Sequence, residues 1–116
     1  MNKAILTGRT VKELELRSTQ NGTPMVRFTL AVERIKSKEK GTDFVPCIAY
    51  GKVAELLYQY VRKGQKIGIT GQIKTGSYEK DGKKIYTCDI IVDELEFLET
   101  KKVSESPIQS DSDLPF

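Results

Sequence analysis

The chain is 116 residues long and carries 19 Lys and Arg against 16 Asp and Glu, with no histidine, for a net charge of +3. That length holds one domain plus a short extension, stable without disulfides or metal, and no apolar run is long enough to span a membrane. The charge is uneven: residues 1–102 hold every base and 13 of the acids, a surplus of six, whereas 103–116 hold three acids and no base, which points to a polyanion partner for the basic body.

The start, MNKAIL, lacks the charged-then-apolar pattern of a signal peptide, so a cytoplasmic protein is expected. From Lys3 to Leu16 the pattern is mainly strand-like, with Gly8 predicted to mark a bulge or sharp bend. TQNGTP, Thr19 to Pro24, is a turn signal between two strand patterns, with Asn-Gly able to take positive φ, and is expected as a hairpin. MVRFTLAVERI follows, a strand with Val26, Phe28, Leu30 and Val32 on one face and Arg27, Thr29 and Ala31 on the other. After the charged loop KSKEKGTD comes FVPCIAYG, a third strand in which Pro46 demands an edge or bulged position.

The period then changes. In KVAELLYQYVRKG the residues Val53, Ala54, Leu57, Tyr60 and Val61 recur at helical spacing, Arg62 and Lys63 suit the negative end of the dipole, and Gly64 suits the stop. KIGITGQIKT, Lys66 to Thr75, alternates again, with Ile67, Ile69, Gly71 and Ile73 sharing a face. GSYEKDGKK carries an Asp-Gly turn, and IYTCDIIVDELEFLE, Ile85 to Glu99, reads as the last long strand. From Thr100 the pattern is lost, which sets a strand-rich domain at 1–99 and a disordered acidic tail at 100–116. Five strand regions with one helix between the third and fourth give the element order of an OB-fold, a five-stranded Greek-key barrel used on oligonucleotides and oligosaccharides.

Candidate chemistry follows from strand parity. Phe44 and Tyr50 share a face opposite Val45, Cys47 and Ala49, so the small and branched set is expected inside and the aromatics outside, although two strand aromatics are also ordinary core residues. Lys52 follows Tyr50, a basic loop precedes Phe44, and Tyr78 stands among Lys74, Lys80, Lys83 and Lys84. Rings interleaved with cations suit a sequence-tolerant single-strand site, with bases stacked on the rings at about 1–3 kcal/mol each and phosphates following the charge. Cys47 and Cys88 have no CxxC spacing and no histidine to complete a zinc set, so both are expected as reduced, half-buried thiols with no metal or cofactor. Enzyme motifs are absent, and a magnesium-dependent nuclease would have to draw on Asp93, Glu94, Glu96 and Glu99. An RNA-binding barrel and a barrel that binds only protein are also compatible with this pattern of rings and charge.

Three stretches resemble the bacterial and phage single-stranded DNA-binding protein family: NKAILTGRTVKELELRSTQNGTPMVRFTLAVER, DFVPCIAYGKVAELLYQYVRKGQKIGITGQIKTGSYEKDGKKIY and the ending SDLPF. The most specific piece is YGKVAELLYQYVRKGQKIGITGQI. The resemblance implies a non-catalytic, nucleoid-associated homotetramer with single-stranded DNA wrapped around it, active in replication, recombination and repair. By position, Phe44, Tyr50 and Tyr78 correspond to the family's stacking aromatics. Lys3, Arg17, Lys52, Lys74 and Lys84 fall at or near its phosphate-contacting cations. Arg34, also counted among the DNA-binding cations, stands with Ile35 and Lys36 where the family often has a further tryptophan. The tip Asp111, Asp113, Leu114, Pro115 and Phe116 matches the family's docking peptide for replication and repair enzymes. The short tail resembles phage or mobile-element members.

Overall fold

Alternation of apolar residues along the chain becomes a single sheet that rolls up and closes on itself. The computed structural model describes residues 1–35 and 41–98, so the loop from Lys36 to Lys40 and the tail with its tip lie outside the described residues. The elements in order are β1 (Ala4–Thr10), β2 (Arg17–Ser18), β3 (Pro24–Glu33), β4 (Thr42–Tyr50), α1 (Lys52–Tyr60), β5 (Lys66–Lys80) and β6 (Lys83–Phe97). The sheet order is β1-β5-β6-β4-β3-β2, and β1 pairs with β3 as well as β5, which joins the two ends into a ring. That is the expected OB-type barrel, with two-residue β2 as an appendage of β3.

Closure needs sharp bends, and two glycines permit them. A Cβ on Gly8 would lie 2.4 Å from the Ala31 carbonyl oxygen, and one on Gly71 would lie 2.1 Å from that of Ile91. No real side chain tolerates such contacts, so both backbones approach only because the glycines are bare. Of the bulge or sharp bend expected at Gly8, the bulge is absent: β1 pairs with β5 without interruption from Ala4 to Arg9. The shift in register comes instead between Thr70 and Gly71, where Glu94 and Val92 are the successive partners and Asp93 is the extra residue. The bulge turns both Val92 and Leu95 toward the core.

The first strand is also shorter than its sequence pattern. It ends at Thr10, whose buried side chain donates from Oγ1 to the Arg62 carbonyl at 2.7 Å, while the Thr10 carbonyl accepts from Gly64 N at 2.9 Å. These bonds tie β1 to the α1–β5 connection. The helix stops earlier than expected, at Tyr60, with extended Val61 as its cap; Gly64, at φ 80°, serves the following turn rather than the helix end, and Arg62 and Lys63 lie beyond the last turn. Ala54, Leu57 and Val61 plug the barrel against Val26, Leu30, Ile67 and Ile69. Tyr60, expected on that stripe, is exposed, and its ring meets Phe97 edge-on at 6.1 Å.

Pro46 occupies the edge-like place that its missing N–H requires. It pairs in register with Thr29 of β3, and the parallel β4–β6 ladder begins only at Cys47. The last two strands run further than the sequence pattern indicates. The β5–β6 pairing continues unbroken to Lys80 and Lys83 and turns through Asp81 and Gly82, both at positive φ. Since β6 pairs with β4 only through Ile90 and Ile91, residues 74–80 and 83–89 form a two-stranded arm with no third strand paired to it among the described residues.

Candidate nucleic-acid interface

The outer faces of β3 and β4 hold the predicted rings. In β4, Val45, Cys47 and Ala49 pack toward the core while Phe44, Pro46 and Tyr50 face out, with Phe44 62% and Tyr50 41% exposed. Rings of this size left so open on a strand beside a packed core are available as stacking surfaces. They are six positions apart, about 20 Å at strand rise. Ile48 shares their face yet is buried, so the outer surface has its own small apolar floor between the two rings.

Register extends this face across the sheet. Arg27 lies opposite Ile48, Ile48 beside Ile91, and Ile91 opposite Gln72. Asn2 continues the row to β1: its amide donates to the Ile73 carbonyl and accepts from Ile73 N, both at 2.8 Å, as a strand residue would. That clamp sets Lys3 next to Gln72. Lys74 and Tyr78 share the parity of Gln72, so the same face runs out along the arm, where Tyr78 is 52% exposed. At the other end Arg17 is opposite Met25, which is opposite Tyr50. A groove of about 680 Å³ crosses this end, lined among others by Arg17, Met25, Arg27, Phe44 and Pro46.

Lys52 is the first residue of α1, directly after Gly51 and Tyr50. A cation at the positive end of a helix dipole has the wrong sign for stability, whereas Glu55 in the same turn has the right one. The charge of Lys52 therefore does nothing to stabilise the helix start.

Two predicted cations are placed differently. Arg34 grips Asp43, with Nη2 at 2.8 Å and Nε at 3.2 Å from the carboxylate. The hydrogen bonds from Arg34 hold the Asp43 carboxyl below its ordinary pKa and raise that of Arg34, although both are exposed. Asp43 lies opposite Val32, on the parity away from Phe44, so Arg34 is drawn off the ring-bearing face. Lys84 is opposite Glu79 and therefore on the reverse of the arm from Tyr78, with its Nζ 5.7 Å from the Tyr86 ring centroid. Arg17 is on the face but makes an exposed 3.0 Å ion pair with Glu15. Arg27, by contrast, sits between the two rings with no ion pair among the described residues. Sequence reasoning leaves it out of the site although its parity with Thr29 and Ala31 is legible.

The remaining chemistry is sparse. Cys47 is fully buried, and burial, helped by the charge of Asp89, pushes its thiol up to about 12, so it stays protonated; Cys88 is exposed. Asp93, Glu94 and Glu96 are exposed on β6, Glu99 lies outside the described residues, and among the described residues no group of three or more His, Cys, Asp or Glu is placed to hold a metal ion. No described helix is long and apolar enough to cross a membrane.

A model of the single-strand binding protein family matches residues 1–98. The chain belongs to that family. Among its relatives, the single-stranded DNA-binding protein of Clostridium perfringens is 45% identical over 102 residues, which covers 86% of this chain and 67% of the relative. Single-stranded DNA-binding protein 2 of Clostridium acetobutylicum is 41% identical over 133 aligned positions and is matched over the full length of both chains. Among solved structures, the Plasmodium falciparum SSB complex with single-stranded DNA shares the fold at a TM-score of 0.78 and 23% identity, covering 85% of this chain and 96% of that one. Family membership makes the chain a binding protein and not an enzyme.

Proposed function

We propose that the protein binds and protects single-stranded DNA during replication, recombination and repair, and recruits partner enzymes through its C-terminal tip. The observation that carries this reading is the common outward face of Phe44, Tyr50 and Tyr78, with Lys3, Arg17, Lys52 and Lys74 around it. Bases stack on the three rings, phosphates lie against the cations, and a floor of Ile48 and Pro46 keeps the contact indifferent to base identity. Arg34 and Lys84 contribute less on this face, since one is offset by Asp43 and the other points away. The names of the relatives support the ligand, and the acidic tip, Asp111 to Phe116, supplies an apolar anchor with charges suited to a basic pocket on a partner. Residues 1–99 act as the DNA-binding unit and 100–116 as the docking tail. Assembly as a homotetramer completes the proposal.

Titration of an oligothymidylate at several salt concentrations tests it. Log affinity should fall linearly with log salt, by about 0.7 per phosphate contacted. Alanine at Phe44 or Tyr50 should weaken binding roughly fivefold or more while leaving the unfolding midpoint in place. A flat salt response, or equal affinity for duplex, would refute the reading.

A further inference from the structure

The arm has two faces, and the ring-bearing site uses one. On the reverse, Tyr86 lies opposite Ser77 and Lys84 opposite Glu79. Tyr86 is 74% exposed, the most open tyrosine among the described residues, with no apolar partner across the ladder. A ring that stabilised the arm would be expected to pack on a facing apolar side chain, as Tyr78 can on Ile85 directly opposite. The Lys84 ammonium sits at this ring, and no ion pair joins it to Glu79. One open ring and one cation with no acidic partner among the described residues therefore stand together on the reverse face.

We infer that Tyr86 and Lys84 form a second contact for single-stranded DNA, so that a long strand leaving Tyr78 crosses the edge of the arm and stacks a further base on its reverse. This rests on the proposed DNA-binding function. The arm is only two strands wide, about 5 Å between backbones, and neither edge is covered by another described strand beyond Ile90. Lys80 and Lys83 pair with one another at its end, which keeps the passage between the faces positive. The ligand chemistry is a stacked base with an adjoining phosphate, the same as on the first face.

The test compares two oligothymidylates, one of about 6 and one of about 16 nucleotides, within the range of site sizes for a single OB-fold. Tyr86→Ala should weaken the longer one about fivefold or more and leave the shorter within twofold, while Tyr86→Phe, which retains the ring, should restore it. Lys84→Ala should lower the salt slope of the longer oligomer alone. Phe44→Ala should weaken both lengths; no effect there would remove the first site, a failure distinct from that of the arm. Unchanged affinity of Tyr86→Ala for the longer strand, or an equal loss at both lengths, overturns the inference. So does a fall in subunit number by light scattering with DNA affinity per chain unaltered, which would assign this face to another copy of the chain.

Discussion

At the scale of single residues, the barrel depends on atoms that are missing. Gly71→Ala places a methyl group 2.1 Å from a backbone carbonyl oxygen, and the strand beside it cannot yield as a flexible side chain would. The expected cost is about 3 kcal/mol, read as a lower urea midpoint with an unchanged denaturant slope. Cys47 gives a pH-dependent counterpart. Its folded pKa is raised to about 12 by burial, above the roughly 8.5 of a free thiol, so the folded state keeps a proton that the unfolded chain gives up. Its contribution is complete below about pH 8.5 and declines as the pH rises toward 12. The stability advantage of the native protein over Cys47→Ala should therefore narrow between about pH 8 and 11. In the folded protein a thiol reagent should modify Cys88 and spare Cys47 until denaturant is added.

At the scale of elements, α1 and the arm each show a local preference set against another demand. Lys52→Glu corrects the charge at the helix start and removes a cation beside Tyr50, so two measurements should move in opposite directions. Stability should rise by about 0.5 kcal/mol, and affinity for single strands should fall with a shallower salt slope. Parallel movement of the two would show that Lys52 acts through the fold. The arm is a two-stranded ribbon, an element that is marginal in isolation. It persists because its strands are continuous with the barrel staves β5 and β6 and because Asp81 and Gly82 favour the tight turn.

At the scale of the whole molecule, closure couples the face to the core. β1 is hydrogen-bonded to β5 along its length and to β3 at its end, and Asn2 pins its start to the root of the arm. Cations and rings from β2, β4, β5 and the start of the chain are thereby held on a common wall. Removing residues 100–116 should leave cooperative unfolding and single-strand affinity intact while abolishing capture of replication or repair enzymes. Loss of DNA binding in that truncation would contradict the division of labour proposed for body and tail.

Strand alternation, the Asn-Gly and Asp-Gly turns, the short helix and the inner and outer parities of β3 and β4 were all legible in the sequence, because each is set by neighbours along the chain. Phe44 and Tyr50 were correctly placed outside for that reason. Local pattern could not say where pairing ends. The unbroken ladder to Lys80 and Lys83, the bulge at Asp93 in place of one at Gly8, and the helix stop at Tyr60 depend on which backbone lies alongside. The charges show the same division. Sequence grouped Arg34 and Lys84 with the site, whereas register sends Lys84 to the reverse of the arm and Asp43 holds Arg34. The sequence by itself determined a barrel with basic charge and outward rings; only the tertiary structure decided which cations share a face with which rings, because a face is defined by partners distant in the chain.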